Sequence, residues 1–142
     1  MATDDPFDLQ RFVAAQNGCW EAVQAELRAG AKRSHWMWFV FPQIAGLGHS
    51  PTARFYAISG LDETRAYLEH PILGPRLAAS VDLLLDHHDR SAHDIFGSPD
   101  DMKLRSSLTL FAEAGGGARF TGALDRFFDG MPDRRTLELL GR

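Results

Sequence analysis

The stretch Lys32-Arg33-Ser34-His35, running directly into Trp36-Met37-Trp38-Phe39-Val40-Phe41-Pro42-Gln43, joins groups that bind an anion to groups that bury. Lysine and arginine neutralise phosphate, and a serine hydroxyl donates to its oxygens. An imidazole exchanges protons near neutral pH, so His35 is the candidate acid–base group. Six apolar residues in a row belong in the core. The polar residues at their start therefore stand at the core's edge, where a pocket can form. With Ser34 as a helix N-cap, free backbone N–H groups and a positive dipole end lie beside the two cations. Trp36 and Trp38 offer flat faces for a base. The competing reading is plain core beside a solvated Lys32-Arg33 loop, and packing is the commoner use of an indole.

A second set lies at Lys103, Arg105, Ser106, Ser107 and Thr109, after Ser98-Pro99-Asp100-Asp101. Helical spacing puts Lys103, Ser106 and Ser107 on one strip, where a cation and two hydroxyls suit a phosphate or a sugar. The alternative is a solvated face whose hydroxyls bond back to helix carbonyls. Serine and threonine are weak helix formers, which favours a specific role. If the site is catalytic, Asp100 or Asp101 orients a water. The residues specify no cofactor.

A third set, Asp82, Asp86-His87-His88-Asp89 and His93-Asp94, has metal-ligand residue types. Adjacent helical residues point apart, so His87 and His88 cannot share one ion, and a solvated helix end is the better reading. No metal site is expected. Gly-x-Gly-x-x-Gly, Gly-Lys-Ser/Thr, His-Glu-x-x-His and Gly-x-Ser-x-Gly patterns do not occur.

The elements that must position these groups read as short helices with strong punctuation. Asp5-Pro6 starts the first, and Phe12, Gln16, Trp20, Val23 and Leu27 keep helical spacing to a cap at Gly30, with Asn17-Gly18 as a break. The aromatic run is a short buried helix from Ser34 to Pro42. Ser50-Pro51 opens another, and Asp62 caps the next. Pro71 opens a longer one, with Leu73, Leu77, Val81, Leu84 and Leu85 inward. Ser91 caps a turn ending at Phe96-Gly97. The helix after Ser98 runs to the Gly115-Gly116-Gly117 break, and Phe120, Leu124, Phe127 and Phe128 form one ended by Gly130. Asp133 opens the last, with Leu137 and Leu140 inward. No hairpin or internal repeat is evident. The expected architecture is all-α: one compact domain over residues 1–142, of about seven or eight short helices, with residues 1–5 a flexible terminus.

Composition narrows the classes. The chain of 142 residues carries 15 Lys and Arg against 19 Asp and Glu, a net charge of −4, so it has no general attraction for nucleic acid. No helix has the dense basic face that DNA recognition needs. A single cysteine, Cys19, excludes an intramolecular disulfide. With no signal-peptide pattern and no membrane-length apolar run, the expected setting is cytoplasmic. Cys19, beside Trp20, reads as a packed residue rather than a nucleophile.

The residues Asp5-Pro6-Phe7, Lys32 with Ser34-His35-Trp36-Met37-Trp38, Phe41-Pro42-Gln43, Gly46-Leu47-Gly48, His70-Pro71-Ile72-Leu73-Gly74 and Lys103-Leu104 through Leu110-Phe111 carry a resemblance. The chain resembles, over nearly its whole length, a bacterial family of uncharacterised proteins with the Ser-His-Trp-Met-Trp signature, sometimes labelled calpastatin. The resemblance implies an all-helical cytoplasmic domain. The label conflicts with the composition, since a calpastatin-type inhibitor is disordered and this chain has the makeup of a packed domain. A fainter likeness is to helical domains that process ADP-ribose derivatives, which would set His35, Trp36 and Trp38 opposite Lys103. The leading expectation is therefore binding or hydrolysis of a small phosphate-bearing metabolite. Lys32, Arg33 and Lys103 would hold phosphate, Ser34, Ser106 and Ser107 would bond oxygens, and Trp36 or Trp38 would stack a base. The rival is a protein-interaction module with no small-molecule site, in which the Gly46-Leu47-Gly48 loop makes the contact.

Overall fold

The computed structural model describes residues 4–142, and every described element is helical. There are ten helices, against the seven or eight expected. They are α1 (Gln10–Asn17), α2 (Trp20–Ala29), α3 (Met37–Val40), α4 (Pro51–Phe55), α5 (Leu61–Glu69), α6 (Leu73–Leu85), α7 (Ala92–Phe96), α8 (Asp100–Glu113), α9 (Ala118–Phe128) and α10 (Arg134–Leu139). The higher count reflects the punctuation: most of these elements last only one to three turns. Extended pairing is confined, among the described residues, to one isolated parallel bridge between Ile44 and Ile58. No helix described is long and apolar enough to cross a membrane.

Local chemistry sets the boundaries. Residues 1–3, part of the segment expected to be flexible, lie outside the described residues. Asp5, its last residue, accepts hydrogen bonds from the Leu9 and Gln10 N–H groups and so caps the start of α1. Asn17-Gly18 separates α1 from α2 as its turn chemistry requires. Gly30 takes the left-handed conformation, φ 72°, that closes α2. Ser50 caps α4 through the Ala53 N–H with Pro51 at the first helical position. Ser91 and Asp94 form a reciprocal capping box on α7. Two boundaries differ from expectation. α3 begins at Met37, so Ser34 is not its cap. Gly60, not Asp62, precedes α5, with Asp62 in its first turn.

α8 is the hub. It packs against α5, α7, α9 and α10, while α6 lies against α2, α5 and α9. Residues 106–111 are buried in unbroken succession, which marks a helix enclosed on all sides rather than an amphipathic surface helix. Phe111 stacks on Phe120 and meets Tyr67, and Tyr67 meets Phe12 edge to face, joining α8, α9, α5 and α1 in one aromatic core. Arg11 ties this core to the chain's outer turns. Its five N–H donors reach the carbonyls of Phe7, Asp8, Phe55 and Ala57 and the Glu63 carboxylate.

Candidate anion-binding site

The two polar strips read from the sequence meet. The Lys32 backbone N–H donates to the Ile95 carbonyl at 2.7 Å, which pins it beside the end of α7. α8 begins three residues after Gly97, and Asp100 in its first turn faces Lys32. Lys32 Nζ lies 2.9 Å from Asp100 Oδ2, and Lys103 Nζ lies 3.2 Å from Asp100 Oδ1. One carboxylate thus engages two ammonium groups, one oxygen each. All three side chains are largely withdrawn from solvent, with exposures of 6% for Lys32, 19% for Asp100 and 22% for Lys103. Each ammonium also lies against an indole. Lys32 Nζ is 5.0 Å from the Trp36 ring centroid and Lys103 Nζ 4.2 Å from that of Trp38. Burial alone would raise the Asp100 carboxyl, but the hydrogen bonds and charges of Lys32 and Lys103 outweigh it and hold the group below the usual carboxylate range.

The cluster has charges of +1, +1 and −1, a net of one positive charge at the edge of the core. An ammonium has three donors. Lys32 directs two of its own to Asp100 and the Ser34 carbonyl, and Lys103 directs one to Asp100. One donor on Lys32 and two on Lys103 have no protein acceptor among these contacts.

Glu26, near the end of α2, organises the other side of the segment. Its Oε1 accepts from the backbone N–H groups of Arg33 (2.7 Å) and Ser34 (2.9 Å) and from the Trp36 indole N–H (3.0 Å). Its Oε2 accepts from the Ser34 hydroxyl at 2.6 Å. Burial pushes the carboxyl up. The Ser34 hydroxyl, the two backbone N–H groups and the Trp36 indole more than offset this, and its pKa falls from 4.5 to about 2. The helix-terminus corner expected at Ser34 is absent, and the Ser34 N–H and hydroxyl instead bind the protein's own Glu26 carboxylate. Nothing local marks Glu26 in the sequence, since seven residues separate it from Ser34.

The remaining expected site residues divide. Arg33 and His35 are exposed beside the cluster. Trp38 is half-buried, and the Gly46-Leu47-Gly48 loop rests on it: a Cβ on Gly48 would stand 3.1 Å from the indole and 2.6 Å from the Ala53 methyl. Only glycine allows that approach. Trp36 is 1% exposed, flanked by Phe41 and Phe96 at 6.3 Å, with its N–H on Glu26, so its expected role as a base-stacking face is corrected to core packing. Ser34 is likewise corrected, since its hydroxyl and N–H both belong to Glu26.

The α8 hydroxyls serve the fold. Ser106 Oγ donates to Asp133 Oδ2 at 3.1 Å, Thr109 Oγ1 receives the Asp133 N–H at 2.9 Å, and Asp133 in turn caps α10 through the Thr136 N–H. Ser106 therefore docks α10 rather than a ligand. The sequence marks Asp133 as the start of α10, and the structure adds its grip on α8. Ser107 is 1% exposed and its hydroxyl has no protein partner. It lies one helical turn inward of Lys103 on the same strip. The water-orienting role expected of Asp100 or Asp101 is not what the geometry favours. Asp100 is held between the lysines, while Asp101 accepts from the Met102 N–H and pairs with His93 at 3.3 Å.

The histidine-rich end of α6 is structural in part. His87 Nε2 lies 2.7 Å from the Leu27 carbonyl at the end of α2. Among the described residues no three His, Cys, Asp or Glu side chains group as a metal site would need.

Fold and site together define a small one-domain helical protein with a cationic cluster where the 32–38 segment meets its central helix. The chain belongs to the family described as protein of unknown function DUF1810, which matches residues 6–140. The crystal structure of the conserved hypothetical protein Rv1873 from Mycobacterium tuberculosis is similar at 53% identity, with a TM-score of 0.95, over 97% of this chain and 99% of that one. No curated protein matches the chain.

Proposed function

We propose that this domain binds a small phosphate-bearing metabolite of the ADP-ribose or nucleotide class at the Lys32–Asp100–Lys103 cluster. The observation that supports the reading most is the sharing of one carboxylate by two largely buried lysines, with donors left on each ammonium. One carboxylate balances one cation, so the second leaves the cluster with a net positive charge that a phosphate can match. In this reading Lys32 and Lys103 hold the phosphate, and exposed Arg33 and His35 approach it from the rim. The accessible part of Trp38 receives the base, and Ser107 takes a polar group that reaches past Lys103. Binding rather than hydrolysis is the activity proposed, because both candidate carboxylates are engaged by the protein.

The test is an amide and indole NMR titration of labelled protein with ADP-ribose, NAD, ATP and a short DNA duplex. Saturable shifts at the Trp38 indole and around Lys103 are expected for one small ligand, with affinity falling about tenfold in Lys103→Met. No saturable shift with any of them, or unchanged affinity in Lys103→Met, overturns the reading.

A further inference from the structure

The loop between α9 and α10 forms a cleft of about 460 Å³ with the flank of α8, well apart in sequence from Lys32. Its apolar surface comes from Met131, which is 60% exposed, from Pro132 and from Leu137. Leu137 is the informative residue. The sequence pattern turns it toward the core, yet α10 buries Thr136 and packs Leu139 and Leu140 on the core instead, leaving Leu137 half-buried in the cleft. An apolar side chain released from the core, beside an exposed methionine, makes a small adaptable anchor pocket.

The charge around it is opposite in sign to that of the whole chain. Arg105 spans one wall, held by hydrogen bonds from Nε to the Met131 carbonyl (2.8 Å) and from an Nη to the Pro132 carbonyl (3.0 Å). Carbonyls fix its position without cancelling its charge. Arg134 also lines the cleft. Arg142 lies 3.7 Å from Glu113 and Arg135 3.7 Å from Glu138, so those two pairs balance. Arg105 and Arg134 leave the cleft two positive charges on a chain whose net charge is −4.

We infer that this cleft docks an acidic peptide segment of a partner protein. One aliphatic or aromatic side chain of the segment seats between Met131 and Leu137, and flanking carboxylates pair with Arg105 and Arg134. Guanidinium groups suit carboxylates because their paired donors match the two oxygens. The apolar floor decides against nucleic acid, whose phosphates have no use for Met131 and Leu137, and its volume fits one or two side chains of a peptide.

The test is fluorescence anisotropy of the full chain with a labelled Glu-Asp-Glu-Leu-Glu-Asp-Glu peptide. A peptide with Ser for Leu and a labelled DNA duplex serve as comparisons. Saturable binding is expected, weakened about tenfold by Ser for Leu. Arg134→Glu and Met131→Ser lie at exposed positions, and each should weaken binding about fivefold with the melting temperature unchanged. The inference is overturned by no saturable binding, by equal binding of the Ser peptide or the duplex, or by unchanged affinity in the Arg134→Glu/Met131→Ser double variant.

Discussion

Two carboxylates flank the 32–38 segment, and they do opposite things. Glu26 gathers four neutral donors, and its single negative charge is spread over hydrogen bonds that leave no cation unmatched. Asp100 gathers two cations and cannot neutralise both. The first arrangement closes on itself and serves the fold. The second stays open by one positive charge, which the proposed phosphate would match. The two neighbouring indoles differ too: Trp36, though Lys32 lies against its ring, is anchored by Glu26 and fully buried, whereas Trp38 is partly exposed beneath Lys103. Residue type alone would have grouped them together, but the nature of each one's neighbours separates them.

The sharpest way to break this contrast is to truncate each indole. Trp36→Ala should cost about 3–5 kcal/mol in urea unfolding, as for other fully buried aromatics. Trp38→Ala should cost about 1–2 kcal/mol, since its ring is only partly buried. Equal costs would show that both rings are core and would remove the distinction.

Next in size is the Glu26 latch. Glu26→Ala leaves the Trp36 indole N–H and two backbone N–H groups without their acceptor, a loss of about 2 kcal/mol. Because its carboxyl is lowered on folding from 4.5 to about 2, its contribution is complete above pH 4.5 and fades as pH falls through that interval. Urea midpoints should therefore converge between wild type and variant from about pH 6 to about pH 3. A constant difference across that range would mean that the carboxylate's charge is irrelevant.

The smallest and most specific effect is expected at Asp100. Asp100→Asn removes the internal anion that competes for both lysines. It should tighten binding of a phosphate ligand about fivefold, equivalent to about 1 kcal/mol. Weaker binding in a folded Asn variant would make Asp100 the element that positions the lysines, rather than a competitor for them.

Local signals carried most of the fold. Ser50-Pro51, Asn17-Gly18, Gly30 and Ser91 with Asp94 each act within four residues or so, and each is found as its chemistry requires. The expectations that changed were decided at a distance. Ser34 has every property of an N-cap, but Glu26 reaches it first. Ser106 has the spacing of a ligand strip, but Asp133, 27 residues away, takes it. Leu137 has the spacing of a core residue, but the docking of α10 through Asp133 turns Thr136 inward in its place. Of the candidate site, the convergence of Lys32 with Lys103 was legible because both border the most apolar segments. The carboxylate between them was named for another task.

Arg11 imposes an order on how the molecule can be made. All five of its donors are engaged, and three of the acceptors lie 44, 46 and 52 residues further along the chain. On a ribosome, α1 emerges before these partners, and the Arg11 guanidinium stays hydrated until Phe55, Ala57 and Glu63 have followed it out. α1 is thus locked by residues of α4, α5 and the turn between them, which are made only after α2 and α3. The nascent chain passes through a long interval in which the front of the domain waits, loosely held, for its middle.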